Sequence, residues 1–487
     1  MRDLITKSDW LTAQQCTGMA WYGLRADPVA PDEAGRFRMQ QGQEIGALAR
    51  KLYPSGVIVS LANGKTPAER TRVNVADGTE ETIFEATALA APFVAKADIL
   101  TRLNGGWHVL EVKSNFSDTK NIPDLVDDLS YTVMVFKRTG LPVVRASLLL
   151  LSREYRFGSG PDQLFEVVDK TGEVLVRVTE FDAAADSIAK ALFNGKPPEP
   201  KLGSVCRECA AFGEQCLAMG LAHTVLEIPN LHYKKLQRLS AEGIFDLSQV
   251  PDDLKLNEKQ QRAKDSALSG KPCVEPGLKN VLNAVAWPCY YLDFETVATF
   301  LPLYDGHACH QQVLTQFSVH CRDTFDSEVP HSEYLADAKR DCQRELAEAL
   351  ISALDQQGSI IVYTSFEKTR IEALQRLLPD LNGPLQGIVD RLVDLYAIIV
   401  NHVYHPDFRG SFSIKKVLPA LVPDADLSYQ NLAIHDGDMA ITRFARMARG
   451  EIAGDAIART RQELLEYCKL DTYAMVRLHE TLFRMAS

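Results

Sequence analysis

The chain has 487 residues, 46% of them hydrophobic, and a formal net charge of −11; that length exceeds one ordinary core and predicts two or three domains. The acidic balance excludes a globally basic nucleic-acid coat but allows local basic grooves and acid clusters that bind cations. No apolar run reaches the ~18 residues a bilayer span needs, and the start MRDLITKSDWLTAQQC lacks the charged-then-apolar pattern of a signal peptide, so the expectation is a cytoplasmic globular protein with no membrane partner.

Residues 1–220 alternate an amphipathic helix, GRFRMQQGQEIGALARKLY, with strand-like runs such as KADILTRL, WHVLEVK and RASLLLLS, the pattern of an α/β domain. Asp98 lies just before an apolar strand, and a tight NGG turn leads into GWHVLEVKSN, as in a β-hairpin. The two-residue period of a strand puts Val109, Glu111 and Lys113 on one face, with Asp98 available from the neighbouring strand. Two carboxylates can hold a hard divalent cation such as Mg²⁺, and the lysine can polarise a water and counter phosphate charge. Glu-X-Lys by itself fits an exposed edge strand equally well.

Asp98, twelve intervening residues, then Glu111-X-Lys113 on a hairpin resembles the PD-(D/E)XK nucleases, and FEATALAAPFVAKADILTRLNGGWHVLEVKSNFSD is similar to their RecB-like branch. That resemblance implies a restriction-endonuclease-like α/β core with Asp98, Glu111 and Lys113 as catalytic residues and a metal on the two acids. The chain departs from the pattern in three places. Ala97 stands where the motif name has proline. The first histidine is His108, too late for the upstream histidine ligand of many relatives, leaving Glu44 or Glu85 to substitute. The helix that usually carries Gln-x-x-x-Tyr has Thr132 and Phe136.

Ten cysteines in a reducing compartment read as metal ligands or small core residues rather than disulfides. CRECAAFGEQC clusters Cys206, Cys209 and Cys216, and Cys16 is the one upstream cysteine that completes four. One distant cysteine plus a cluster of three resembles the iron–sulfur staple of RecB-like nucleases, which implies a [4Fe-4S] cluster, with zinc as the alternative. Such a staple closes a loop of roughly 200 residues and is structural by default.

Residues 221–285 are charged and helix-periodic, a small helical spacer. The remainder, 286–487, opens with the strand YYLDFET, in which Asp293 and Glu295 share a face with Tyr291 while Leu292 and Phe294 take the other. Two same-face carboxylates repel unless protonated or bridged by a cation. Glu367 ends the strand GSIIVYTSFEKTR, and Tyr467 and Asp471 lie four apart on one face of a late helix. Glu367 also closes TSFE, a capping box in which it would bond the Thr364 backbone N–H, and that reading stands beside metal support. Asp394, in VDLYAIIV, is either an exposed-loop residue or a candidate supporting the acids from behind, and Arg409, Lys415 and Lys416 could touch a nucleic-acid backbone or simply form a solvated face.

Asp-x-Glu on a first strand, an acid after a second strand and Tyr-x-x-x-Asp on a late helix resemble the DnaQ-like DEDDy 3′–5′ exonucleases. The implied fold is an RNase H-like mixed-sheet α/β domain. The implied site is Asp293, Glu295 and Asp471 on Mg²⁺ or Mn²⁺, with Glu367 in support and Tyr467 orienting water. The whole layout resembles a bacterial family of uncharacterised two-nuclease proteins. It implies a metal-dependent nuclease of repair or defence, acting on DNA ahead of RNA and alongside protein partners. The alternatives are a nucleic-acid-binding subunit with one or both sites inactive, and a phosphatase or other non-nuclease hydrolase.

Overall fold

The computed structural model describes residues 3–59, 64–423, 427 and 429–486, a mixed α/β protein whose chain divides into two units. The first comprises Met1–Lys201, Glu208–Met219 and Thr299–Gln311; the second comprises Leu202–Arg207, Gly220–Ala298 and Gln312–Ser487. Among the described residues no helix is long and apolar enough to cross a membrane.

The first unit is built on a six-stranded mixed sheet in the order β1 (Val57–Ile58), β2 (Thr82–Ala90), β3 (Phe93–Leu103), β4 (Gly106–Val112), β5 (Val143–Leu151) and β6 (Phe165–Asp169). β2, β3 and β4 are antiparallel neighbours, whereas β4 and β5 run parallel. Its helices are α1 (Lys7–Gln15), α2 (Thr17–Gly23), α3 (Glu33–Arg50), α4 (Pro67–Asp77), α5 (Ile122–Arg138) and α6 (Thr171–Phe193). Alternation along β4 divides the core: Trp107 and Val109 pack with Leu129, Val133 and Phe136 of α5, while Leu110 joins Ala49 of α3. Glu111, next in the alternation, therefore points to the α5 side.

The chain start is fixed to this core rather than trailing from it. Ile5 N–H donates to the Pro92 carbonyl at 2.8 Å, and Val94 N–H donates to the Ile5 carbonyl at 3.1 Å. Thr6 and Asp9 then form a capping box that starts α1. Trp10 is fully buried with Phe93, Tyr131 and Phe181, at ring separations of 5.2–5.9 Å, a burial that contributes roughly 2–3 kcal/mol.

Residues 299–311 complete this unit although two strands of the other precede them in the chain. Phe300 N–H donates to Gln41 Oε1 at 2.8 Å, His310 Nε2 bonds the Ser114 carbonyl at 2.6 Å, and Phe157 N–H donates to the His307 carbonyl at 2.9 Å. Cys309 packs with Ile45, Leu151 and Leu164 in a small apolar cluster.

The second unit contributes β7 (Cys273–Val274), β8 (Cys289–Val297), β9 (Val313–Arg322), β10 (His331–Leu335), β11 (Ser359–Val362), β12 (Leu392–Asp394) and β13 (Val403–Tyr404). Five of them form a mixed sheet in the order β10-β9-β8-β11-β12, antiparallel across β10, β9 and β8 and parallel across β8, β11 and β12. β7 and β13 make a separate two-stranded ribbon. Gly358 (φ +85°) lets β11 start against β8, since a Cβ there would lie 2.0 Å from the Pro288 carbonyl oxygen.

Its helices are α7 (Tyr233–Ala241), α8 (Glu258–Ser269), α9 (Leu278–Asn283), α10 (Gln343–Ala353), α11 (Phe366–Leu377), α12 (Asn382–Val389), α13 (Leu395–His402), α14 (Ile414–Leu421), α15 (Gly437–Arg449) and α16 (Asp455–Ala486). The stretch expected as a spacer, 221–285, carries α7, α8 and α9 and groups with this unit. Tyr290, Leu292 and Phe294 of β8 face α10, α11 and α12, whereas Cys289 and Tyr291 face the core that includes α9, α13 and α16. The same alternation sends Asp293 and Glu295 toward α16.

Polar contacts fix the register of α16 on the sheet. Gln316 Nε2 donates to the Leu464 carbonyl at 3.0 Å, the Thr472 hydroxyl meets Ser318 Oγ and His320 Nδ1 at 2.8 Å each, and the Tyr291 hydroxyl meets His479 Nδ1 at 2.9 Å. Burial pushes His320 down to about 3 and His479 to about 4, so both are neutral hydrogen-bonding groups at pH 7.

The Tyr131 hydroxyl, donating to the Ile5 carbonyl at 2.6 Å, is one tie of α5 to the chain start. Tyr131→Phe is expected to cost about 1 kcal/mol, read as a lower urea midpoint at unchanged slope; an unaltered midpoint would show that the hydroxyl contributes nothing.

Candidate functional site

In the second unit β8 and α16 bring three acids together. Asp293, Glu295 and Asp471 each present a carboxylate oxygen such that all three lie within 4.8 Å of one another, and all three residues remain partly accessible to solvent. Asp293 Oδ2 takes a 3.4 Å contact from the Cys468 thiol, and Asp471 Oδ1 accepts a 2.5 Å hydrogen bond from the Tyr429 hydroxyl. Tyr467, one helical turn before Asp471, also bonds that carboxylate, and its ring lies 6.1 Å from Tyr429.

Glu367 is the fourth acid. It sits in the first turn of α11, 2% exposed, with Oε2 buried and lacking a hydrogen-bond partner. The capping box expected of TSFE is not formed: the N-cap is Ser365, which makes no side-chain capping bond, while Thr364 (φ +98°) accepts from Phe366 N–H at 3.2 Å and gives its own N–H to Asp394 rather than Glu367. Asp394 is a capping residue rather than part of an exposed loop. It ends β12 and accepts from Ala397 N–H at 3.0 Å and Thr364 N–H at 3.2 Å.

Burial and mutual repulsion hold protons on this group. Desolvation, then Asp471 and Glu367, push Asp293 and Glu295 well above the carboxylate range. Desolvation raises Asp471 to about 6 and Glu367 to about 8, the latter helped by Asp394 and Asp471. Lys415, its ammonium held by the His435 carbonyl at 3.1 Å, favours the ionised forms of Glu295 and Asp471 and so opposes their upward shifts. A crowded carboxylate set with an unpartnered oxygen is a donor set that a hard divalent cation can satisfy.

The first unit gathers a different set. Asp98 lies in the middle of β3, because that strand starts five residues before it, and accepts from Val112 N–H at 2.8 Å. The register Ile99 to Leu110 sets it alongside Glu111. Lys113 Nζ lies 3.1 Å from Glu111 and 2.5 Å from Asp128, and Lys7 Nζ lies 2.6 Å from Glu111 and 3.2 Å from Asp128. Glu111 Oε2 is buried without a partner. Burial, then Glu111, pushes Asp98 up to about 7. Burial opposes the charge on both lysines, yet Glu111 and Asp128 outweigh it and raise them.

Sequence reasoning missed Lys7, Asp128, Tyr429 and Cys468. Asp128 was within reach, four residues before Thr132 on α5. Lys7 had no local signal, since 104 residues separate it from Glu111.

All ten cysteines are free thiols. Cys16 caps α2, accepting from Met19 N–H at 3.4 Å. Burial raises Cys216, and Cys16 and Cys209 add to that through their charge, so these three lie within electrostatic reach. The Tyr22 hydroxyl donates to the Gln215 carbonyl at 2.6 Å and ties α2 to the cysteine loop. Cys206 is buried in Leu202–Arg207, which groups with the second unit.

Other sequence candidates are occupied elsewhere. Glu85 pairs with Lys96 and, at 3.6 Å, with Arg50, while Glu44 accepts from Gln40. Thr132 and Phe136 are buried in the core. Arg409 donates to the Ala222 carbonyl and pairs with Glu227 at 3.3 Å, so it braces the second unit internally; Lys416 is exposed.

A family model described as a domain of unknown function, DUF2779, matches residues 290–413, which include Asp293, Glu295 and Glu367 but stop short of Tyr467 and Asp471. The chain is similar to the uncharacterized protein MG366 homolog of Mycoplasma pneumoniae, 27% identical over 217 residues, covering 39% of this chain and 31% of that protein. It is equally similar to uncharacterized protein MG366 of Mycoplasma genitalium, 27% identical over 230 residues, covering 41% and 32%. The chain thus spans about a third of the length of these curated relatives. No solved structure matches it.

The raised carboxylates set a pH dependence. The folded state keeps protons that an unfolded chain, with carboxyls near ~4, has released, so metal-free stability falls as pH rises from about 4 through the values of Asp471 and Glu367. A divalent cation displaces those protons. The thermal shift given by Mn²⁺ is therefore expected to be larger at pH 8 than at pH 6, and a shift equal at both would remove these acids as its ligands.

Proposed function

We propose that the protein is a metal-dependent nuclease in which the second unit is a 3′–5′ exonuclease of the DnaQ-like DEDDy type on an RNase H-like fold. The observation that carries this reading is the convergence of Asp293, Glu295 and Asp471 within 4.8 Å beside Glu367 with its unpartnered oxygen. Asp293, Glu295, Glu367 and Asp471 fit Mg²⁺ or Mn²⁺, which supplies charge stabilisation at the phosphodiester and lowers the pKa of an attacking water. Tyr467, bonded to Asp471, orients that water. Lys415, whose charge reaches Glu295 and Asp471, is the proposed contact to the substrate backbone.

In the first unit Asp98 and Glu111 on the β3–β4 hairpin, with Lys113 just past its end, support a second, PD-(D/E)XK-like centre, with DNA ahead of RNA as substrate. A second reading applies to this unit alone: it binds nucleic acid without cutting it. The burial of Thr132 and Phe136, where relatives place polar residues, favours that alternative.

Cys16, Cys209 and Cys216, with Cys206 as the fourth cysteine of the sequence, form the proposed ligand set of a structural [4Fe-4S] cluster. Among the described residues the thiols do not fall within 4.8 Å as a group of three, whereas tetrahedral zinc with ~2.3 Å bonds draws sulfurs to about 3.8 Å. Protein purified without oxygen is expected to be brown and to lose colour and iron in Cys216→Ser; colourless protein with stoichiometric zinc would refute the cluster.

The nuclease reading is tested on 3′- and 5′-labelled DNA and RNA with Mg²⁺ or Mn²⁺. Asp293→Ala is expected to abolish release of nucleotides from the 3′ end. Tyr467→Phe lowers kcat by roughly 10²-fold, and Glu111→Ala leaves the 3′ activity intact. Equal degradation by wild type and Asp293→Ala would overturn the assignment, and hydrolysis of small phosphate esters alone would make the protein a phosphatase.

A further inference from the structure

The two acid groups differ in what neutralises them. In the second unit the carboxylates of Asp293, Glu295 and Asp471 crowd together, and their bonding partners are the neutral groups Cys468, Tyr429 and Tyr467. In the first unit Glu111 and Asp128 are each bonded to two ammonium groups, Lys7 and Lys113, in a closed ring of four charges. Formal charges there cancel before any metal arrives, with Asp98 as the remaining acid.

Lys113 follows directly on β4, the strand that carries Glu111. Lys7 does not: it comes from the first turn of α1, and two backbone hydrogen bonds between Ile5 and the Pro92–Val94 stretch place it there. Its side chain is 24% exposed, and that of Glu111 is 4% exposed. The chain start thus delivers a cation to the oxygen, Oε1, that Glu111 offers beside its unpartnered Oε2. A divalent ion taking Glu111 together with Asp98 meets this ammonium as a competitor of the same sign.

We propose that Lys7 is a resident counter-ion of the first unit's centre, occupying the Glu111 carboxylate so that a divalent cation binds there only as Lys7 gives way. This rests on the reading of Asp98 and Glu111 as cation ligands. The consequence is an order of filling: the second unit takes Mn²⁺ at low concentration, and the first unit only at higher concentration. Lys7 is a positioning residue here and takes no part in bond breaking.

The test counts bound Mn²⁺ by electron paramagnetic resonance on the full chain carrying Asp293→Asn and Glu295→Gln, which removes the second unit's ligands. Lys7→Met in that background is expected to tighten the remaining Mn²⁺ site about tenfold or more. Lys7→Arg, which keeps the charge, is expected to leave it at the parent affinity, and Glu111→Gln to abolish it. Lys7→Gln serves if the methionine variant does not fold, as judged by circular dichroism. Equal affinity in the Lys7→Met and parent proteins, with loss in Glu111→Gln, would overturn the counter-ion role alone. No Mn²⁺ site in any variant would overturn the metal reading of Asp98 and Glu111 and the counter-ion role with it.

Discussion

Three carboxylates within 4.8 Å are a configuration that a folded chain has to enforce. At an effective dielectric near 20, two full charges ~4 Å apart repel by about 4 kcal/mol. The chain keeps them in place by making the rest of the α16 interface insensitive to that repulsion. Ser318, His320 and Thr472, all buried, lock the helix one residue past Asp471, and Gln316 holds it near Leu464. His479 and Tyr291 do the same two turns further on. Because these partners are neutral, the clamp does not loosen with the protonation of the acids it positions.

The first unit answers the same electrostatic difficulty with ion pairs to its own lysines. A ring of two ammonium and two carboxylate groups is stable without a metal, and removing one partner leaves an uncompensated buried charge. On the proposed metal reading, one acid group would draw its counter-charge from an ion in solution, whereas the other carries its own in Lys7 and Lys113.

Much of this arrangement follows from short-range periodicity. The two-residue period of YYLDFET puts Asp293 and Glu295 on one side of β8, and the four-residue spacing of Tyr467 and Asp471 puts both on one face of α16. Such patterns are legible because backbone geometry alone sets them. Details that turn on a shift of one residue were not. Ser365 rather than Thr364 is the N-cap of α11, which frees Glu367 from capping; Asp394, read as a loop residue, caps α13. Asp98 looked like a strand opener because Pro92, Phe93 and Val94 gave no clear sign that β3 had begun. Lys7 could not be read locally, for its partner lies across the sheet and only the pairing of Ile5 with Phe93 brings them together.

The segment 299–311 has a bearing on how the molecule is made. It supplies Cys309 to the cluster of Ile45, Leu151 and Leu164, and His310 to the Ser114 carbonyl just past Lys113. During synthesis these partners leave the ribosome long before residue 311 does. Until then Ile45, Leu151 and Leu164 lack Cys309 as a neighbour, and the Ser114 carbonyl is left to water. Its completion therefore waits on translation of β8, so the ribosome finishes the first unit only after it has begun the second.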